Sequence, residues 1–377
     1  MRIGFEAKRL FNNFTGLGNY SRFVVRALFE SYPQHHYTLY SPKCKTHPET
    51  APFLANPAFH VRTPSGWVKG TGFGSFWRSV NLGNIASRDG VALLHGLSSE
   101  LPLTKPEGLK TVVTVHDLIY KRYPELYGKV DAMIYTRKLT HACNTADRII
   151  AISRQTAQDI RQFTEVDEKK IRVVYQGCHE QFYKQVDAAG LAQVKSKYGL
   201  PESFILNVGT LERRKNALLI LKALTKLDQP VSLVLVGKAT AYQRTLDNFI
   251  ARHGLQSRIH FIHKVAFSDL PAIYQMAKAF IYPSRFEGFG IPIVEAIASG
   301  VPVIAAKGSS LEEAGGEGSL YVDPDNEMEL AGKIHALLAN PSQGESMVDQ
   351  SREHIKKFRS QAIAKELMDG YLELMRS

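Results

Sequence analysis

Cysteine is scarce: three in 377 residues, Cys44, Cys143 and Cys178, odd in number, far apart and without a CxxC pair. That excludes a disulfide framework and a zinc knuckle of ordinary spacing, and the thiols read as reduced and structural. No apolar run approaches the ~18 residues that span a bilayer. The opening MRIGFEAKRL lacks the apolar core and cleavage site of a signal peptide. A cytoplasmic protein is expected. Tryptophan is limited to Trp67 and Trp77, both in the stretch 66–90 with Lys69, Phe73, Phe76, Arg78 and Arg88. Rings among basic side chains suit a membrane interface or a stacked sugar acceptor, and equally the packing of a helix on a sheet.

What is present is ordinary globular material, 44% hydrophobic and 22% charged. A chain of 377 residues exceeds one typical core, so two domains are expected. The net charge of +11 is uneven: residues 1–200 hold 27 Lys and Arg against 16 Asp and Glu, and the remainder 20 against 20. An anionic partner is therefore met by the first half. Nucleic acid, anionic lipid headgroups and phosphorylated substrates all fit that charge.

Short apolar or β-branched runs alternate with helical periodicity twice along the chain, which implies parallel sheets covered on both faces. In the first series the runs are 2–7, 37–40, 91–95, 111–115, 148–152 and 171–175, with a glycine loop at Gly16 to Gly18 before a helix. The pattern lapses over 179–200, where a linker fits. The second series places strands at 204–208, 231–236, 259–261 and 281 onward, and helices near 218–227, 242, 270–277, 327–339 and 360–375, with an exposed polar interval before the last.

Three loops carry chemistry. The stretch 281–306, IYPSRFEGFGIPIVEAIASGVPVIAA, reads strand, glycine loop, helix, glycine stop and strand, with Glu287 in the loop and Glu295 in the helix. Gly288 and Gly290 leave backbone N–H groups open to a polyhydroxylated or phosphorylated ligand. Taken alone it is also an ordinary βαβ turn with two solvated carboxylates. NVGTLERRKN, residues 207–216, follows a strand with Gly209 and the cluster Arg213, Arg214 and Lys215, suited to a diphosphate. In the first half LLHGLSSELP and TVHDL set His95, Ser98, His116 and Asp117 at predicted strand ends, where open α/β sheets hold ligands.

GTLERRKN followed by PSRFEGFGIPIVEAIASGVPVIA resembles the donor half of the family-4 retaining glycosyltransferases, and the loop at Gly16 to Gly18, HGLSSELP, TVHDL and AISRQT resemble the acceptor half. The resemblance implies the glycosyltransferase-B architecture: two facing Rossmann-like α/β domains with a cleft between them. The first, about 1–180, would receive the acceptor, and the second, about 181–358, would bind the donor. The last helix, within 359–377, would cross back to the first domain. It also implies roles. Glu295 would bind ribose hydroxyls and Glu287 hexose hydroxyls, beside the backbone of Gly288, Phe289 and Gly290. Arg214 and Lys215 would hold the diphosphate and stabilise its charge as it leaves. His116 would lie beside the sugar, and Gly18 would offer a backbone N–H.

Two departures stand out. Thr210 occupies a position where many relatives carry Arg, so the clamp falls to Arg213, Arg214 and Lys215. His263 stands where relatives often have Gly, leaving Val265 to meet the base through its backbone. No cofactor or metal is expected, the basic cluster standing in for one. The expected partners are a nucleotide-diphosphate sugar, with GDP-mannose favoured over a UDP-sugar, and a glycan or lipid-linked glycan. Trp67, Trp77, His95, Ser98 and Asp117 are the acceptor candidates. Contact with the inner face of an anionic membrane through the basic half is expected, and nucleic acid is not. A nucleotide-sugar epimerase, a nucleic-acid-modifying transferase and an inactive sugar-binding scaffold are the rival functions.

Overall fold

The computed structural model describes residues 1–64, 74–228 and 230–376. It divides into two compact units, Met1–Gly177 with Ser360–Ser377, and Cys178–Arg359. The first holds a parallel sheet of seven strands: β1 (Arg2–Glu6), β2 (His36–Tyr40), β3 (Phe59–Arg62), β4 (Leu93–Gly96), β5 (Lys110–Val115), β6 (Arg148–Ala151) and β7 (Ile171–Val173), in the order β3-β2-β1-β4-β5-β6-β7. The second holds six: β8 (Phe204–Val208), β9 (Ser232–Val236), β10 (Ile259–Ile262), β11 (Ala279–Tyr282), β12 (Val303–Ala306) and β13 (Leu320–Val322), ordered β10-β9-β8-β11-β12-β13 and also parallel. The expected pair of Rossmann-like sheets is present.

Burial explains the sheets. Strands such as β4 and β11 are buried at every residue, so both faces must be covered and helices must supply the crossovers. In the first unit Val113, Val115 and Ile149 pack against Leu139, Cys143 and Ile160. In the second Ile205, Leu233 and Ile281 pack against Leu219, Leu224 and Ile334. Cys44, Cys143 and Cys178 are free thiols.

The structure departs from the sequence pattern at four places. β3 and β13 are short edge strands, four and three residues long, below the length at which alternation is distinctive. The predicted linker over 179–200 contains the helix Ala188–Tyr198, capped by the Asp187 side chain and ended by Gly199 at φ 59°. The polar interval before the last helix is itself a helix, Pro341–His354, burying Met347 and Val348; a polar sequence with two adjacent apolar anchors hides its period. Gly16 to Gly18 is not a loop but the first turn of the helix Gly16–Ser31. The terminal helix Ser360–Arg376 packs on that same helix and sets the Tyr371 hydroxyl 2.5 Å from His95 Nδ1.

Candidate functional site

In each sheet the strand order reverses between two neighbouring strands, β1 and β4 in the first unit and β8 and β11 in the second. Loops leaving such a pair diverge and open a crevice beyond the strand ends. The chemistry-bearing loops leave these strands or their neighbours.

In the second unit, β8 runs into the turn Arg213–Lys215 and β11 into the segment carrying Glu287. The Arg285 N–H donates to the Arg214 carbonyl at 3.0 Å, joining the two loops. Asn216, at φ 58°, donates through Nδ2 to the carbonyls of Pro283 at 3.2 Å and Pro324 at 2.7 Å. Asn is among the few residues that adopt this backbone readily. Between the loops Arg214 Nη1 lies 2.8 Å from Glu287 Oε2, and Lys215 Nζ 2.6 Å from Oε1. Ser284 donates to Oε1 at 2.7 Å, and Tyr282 at 3.1 Å. Lys215 also donates to the Tyr282 hydroxyl at 2.6 Å, and Arg214 Nη2 to Glu212 at 2.6 Å. Arg213 is exposed and stands outside this cluster.

Although burial alone would raise it, the Glu287 carboxyl is held down to about 2 by Lys215 and Arg214, with the Ser284 hydrogen bond assisting. Burial opposes both cations, yet Glu287 keeps them charged and raises their pKa. One buried carboxylate thus serves two cations, and the charge left over on the trio is offset by the more exposed Glu212 beside Arg214.

Gly209, at φ 154°, passes close to Gly237, and a Cβ on Gly237 would sit 1.9 Å from the Gly209 carbonyl oxygen. Gly237 is therefore required for this approach, and sequence spacing did not single it out. His263 donates through Nδ1 to the Gly237 carbonyl at 3.1 Å, so the residue that departs from the family pattern braces the same loop. Val265 is half-buried two residues on. Gly288 and Phe289 precede Gly290, the N-cap of the helix Ile291–Ala298. The Ser310 hydroxyl lies 2.8 Å from the carbonyls of Glu287 and Phe289. Phe289 is buried and stacks edge-on against Phe358. Glu295 stands on that helix, its Oε2 accepting from the Tyr274 hydroxyl at 3.0 Å, and burial pushes its carboxyl up to about 7.

An Asp-x-Asp triplet, Asp323-Pro324-Asp325, lies nearby in sequence. Asp325 pairs with Arg285 at 2.5 Å, and Asp323 Oδ1 accepts the Asp325 N–H at 2.9 Å. Among the described residues no group of three His, Cys, Asp or Glu side chains could hold a metal ion.

In the first unit a cavity of about 250 Å³ is lined by Arg9, Ser98, Ser99, His116, Asp117 and Lys138, with the rings of Tyr120, Tyr127 and Tyr135. Ser99 is held at φ 54°, a conformation that a non-glycine residue adopts at a cost. His116 Nε2 lies 2.8 Å from the Leu97 carbonyl and so must carry the proton, while Nδ1 accepts from Gln176 at 3.3 Å. Burial lowers its pKa to about 4, and His116 is a neutral imidazole at pH 7. The three tyrosine centroids stand 5.7 to 6.3 Å apart. A lone Tyr in a polar loop carries no sequence signal, and only folding brings these three together.

Several predicted residues are placed elsewhere. His95 is fully buried, with Nδ1 on Tyr371 and Nε2 on Thr114 Oγ1 at 2.8 Å, so it has no atom left for an acceptor. Trp77 is a core ring packed with Tyr40, Leu82 and Leu94, the packing alternative rather than the interface one. Its neighbour Arg78 is buried against Glu100 and Glu6. Trp67 lies outside the described residues. The Gly18 N–H is already donated to Asn13 Oδ1 at 3.2 Å, and a Cβ there would meet the Asn13 carbonyl oxygen at 1.7 Å. Gly18 therefore serves packing and offers no free donor.

Two parallel sheets with sites at their switch points define a class, the glycosyltransferase-B fold. Over 100% of this chain and 99% of the other, the structure matches sucrose-phosphate synthase from Thermosynechococcus elongatus at a TM-score of 0.78 and 20% identity. It matches Anabaena HepE in complex with UDP and glucose at 0.76 and 18% identity, over 99% of this chain and 100% of that one. Residues 14–182 match the family model described as Glycosyltransferase Family 4, and residues 193–354 the model described as Glycosyl transferases group 1. The chain belongs to the glycosyltransferases that join these two domains. O-antigen chain mannosyltransferase RfbU of Salmonella typhimurium is 30% identical over 215 residues, 57% of each chain. O-antigen chain mannosyltransferase B of Escherichia coli is 28% identical over 270 residues, 70% of each chain. The chain thus spans little more than half the length of the first of these relatives. Among the described residues no helix is long and apolar enough to cross a membrane.

Proposed function

We propose that the protein is a retaining hexosyltransferase that moves a sugar from a nucleotide-diphosphate donor to a glycan or lipid-linked glycan, in the assembly of a cell-surface polysaccharide. The observation that carries this reading is the buried Arg214–Lys215–Glu287 trio at the switch point of the second sheet. A diphosphate that leaves gains charge at its bridging oxygen, and cations fixed in advance stabilise that charge more than the ground state. Glu287 positions the two cations and keeps them from repelling one another before the donor arrives. On the same reading Gly209 allows the diphosphate close to the backbone, Val265 meets the base, and the segment Gly288 to Gly290 lies along the hexose. Retention follows if a departing phosphate oxygen takes the acceptor proton on the face it leaves, with neither glutamate serving as proton carrier.

The acceptor is assigned to the first unit's cavity. Tyrosine rings stack on the apolar faces of sugars, while Ser98 and Asp117 offer polar contacts to hydroxyls and neutral His116, its ring nitrogens held by Leu97 and Gln176, forms part of the wall. Mannose is favoured by the two O-antigen mannosyltransferase relatives. Incubation with GDP-mannose and with UDP-glucose tests the reading: GDP-mannose should raise Tm more at equal concentration and should be consumed when a glycan acceptor is added, with the donor's anomeric configuration kept in the product by NMR. If neither sugar nucleotide shifts Tm or is consumed, the proposal fails.

Glu295 is assigned to the ribose hydroxyls, and its raised pKa makes this measurable. Hydroxyls that donate to a carboxylate favour its ionised form, so nucleotide binding should release about half a proton at pH 7 and close to one at pH 6, and affinity should rise as pH climbs through 7 and then level off. Calorimetry in buffers of different ionisation enthalpy reads the proton count. Without nucleotide the sign runs the other way for folding. A carboxyl whose pKa climbs from 4.5 to about 7 on folding stabilises less as pH rises through that window. Glu295→Gln should accordingly be more stable than the wild type at pH 8 and release no proton on binding. Equal proton release by the variant would remove Glu295 from the ribose.

A further inference from the structure

A second cavity, of about 580 Å³, lies within the second unit and shares no lining residue with the site described above. Ile297, Val348 and Ile355 form its apolar wall and are buried. Tyr183, also in the wall, donates its hydroxyl to the Ile355 carbonyl at 3.3 Å. Gln185 and Gly300 complete the lining, and both are exposed. Three cations line it as well, Arg352, Lys356 and Arg359, and among the described residues no carboxylate does.

The fold itself makes little use of these cations. Arg352 pairs with Asp349 at 3.2 Å and Lys356 with Glu353, both partners outside the cavity, and the four side chains are 64 to 81% exposed. Pairs so exposed hold their members weakly, and both cations can turn to another anion. The helix Ile291–Ala298 ends at this cavity without needing them, because the carbonyls of Glu295, Ala296 and Ile297 accept from the N–H groups of Ser299, Val301 and Gly300. Arg359 pairs with Glu180 at 3.3 Å and lies 4.2 Å over the Tyr183 ring, which holds its guanidinium at the rim. Two guanidinium groups and an ammonium suit a phosphate monoester, whose oxygens guanidinium meets bidentately. A cavity of this size takes a small organic ligand rather than the bare ion. The Tyr183 ring and the Gln185 amide suit a body with hydroxyls and an apolar face.

Two paths join this cavity to the segment Gly288 to Gly290. Ile297 and Ala298 line it from the last turn of the helix whose N-cap is Gly290. Phe358, buried beside Arg359, packs edge-on against Phe289 at 5.2 Å. We propose that the cavity lined by Tyr183, Gln185, Arg352, Lys356 and Arg359 is a second ligand site, for a hexose phosphate, whose occupancy shifts the affinity for the nucleotide. The inference rests on the transferase reading only for that coupling.

Calorimetry of the full chain with mannose 6-phosphate tests the site, with mannose and inorganic phosphate as controls. Mannose 6-phosphate should bind saturably and about tenfold or more tightly than either control, since each control supplies only one part of the contact. Arg352→Gln with Lys356→Gln should weaken that binding by about tenfold. Both side chains are exposed, so circular dichroism and the GDP-mannose shift in Tm should be unchanged. Gln185→Ala should weaken mannose 6-phosphate and leave inorganic phosphate as it was. GDP then tests the coupling: as GDP saturates, the affinity for mannose 6-phosphate should shift by about fivefold and hold there, and mannose 6-phosphate should shift the GDP affinity by the same factor. An affinity that falls without limit as GDP rises would put the phosphate in the nucleotide site and overturn the proposal. So would binding no tighter than that of inorganic phosphate, undiminished binding by the double variant, or indifference to GDP. The first arm contains no sugar nucleotide, so its failure leaves the transferase reading intact, and failure of that reading leaves the first arm to decide the cavity.

Discussion

Glu287→Ala is expected to lower the melting temperature by on the order of 10 °C and to abolish measurable transfer. Its carboxylate is the counter-ion of Lys215 at 2.6 Å and, together with Glu212, of Arg214 at 2.8 Å, and all three side chains are largely buried, at 11 to 16% exposure. Removing one member of a buried ion pair costs roughly 3–5 kcal/mol, because the partner charge remains desolvated. In a unit of this size each kcal/mol corresponds to about 2–4 °C. The pH dependence has a definite sign. Folding lowers the Glu287 pKa from 4.5 to about 2, so its contribution of about 3 kcal/mol is present above pH 4.5 and is lost as pH falls toward 2. The gap between wild type and variant should close over that window. A nucleoside diphosphate should rescue the variant more than it stabilises the wild type, because its phosphates replace the missing counter-charge. Denaturation curves from pH 2 to 7, with and without GDP, measure all three effects. A gap that stays constant with pH would show that Glu287 is not the ion that holds the pair.

Tyr371→Ala should destabilise the first unit by about 4 kcal/mol and loosen the terminal helix. The ring is fully buried, and truncating a buried aromatic to alanine costs roughly 3–5 kcal/mol. Its hydroxyl bonds His95 Nδ1 at 2.5 Å, His95 Nε2 bonds Thr114, and Thr114 Oγ1 lies 3.0 Å from the Tyr20 hydroxyl. The loss thus opens a chain of buried polar groups that links the terminal helix, β4, β5 and the helix Gly16–Ser31. Tyr371→Phe keeps the ring and removes one hydrogen bond, for about 1–3 kcal/mol. Burial lowers the His95 pKa to about 3, so the imidazole stays neutral and cannot recover the cost by ionising near pH 7. Chemical denaturation of both variants, with hydrogen exchange of residues 360–376, checks the ordering. If Tyr371→Ala lies within 1 kcal/mol of the wild type, the helix is held by other contacts.

The charged cluster beyond β8 and β11 was legible because it is concentrated in two short segments. Arg214 with Lys215 and Glu287 with Glu295 sit in runs whose residue types have few other uses at a strand end. The two-sheet fold was legible because buried parallel strands leave uninterrupted apolar runs. Where the signal is spread thin, expectation and structure part. Gly18 follows a glycine spacing that suggests an open loop, but its N–H is committed to Asn13. His95 sits in a polar motif, but both ring nitrogens are consumed by partners 276 and 19 residues away. Trp77 keeps basic company in sequence, yet the fold turns its ring into the core.

The sequence by itself determined the class of fold, the family, and the residue types gathered beyond the ends of β8 and β11, since these depend on local runs and near-neighbour spacing. Only the tertiary structure decided the strand order that creates the switch points, the pairing of Glu287 with both cations, the need for Gly237 opposite Gly209, and the tyrosine cavity of the first unit. Each of these joins residues far apart along the chain, and no local pattern specifies which distant groups will share a buried charge or a wall of a cavity.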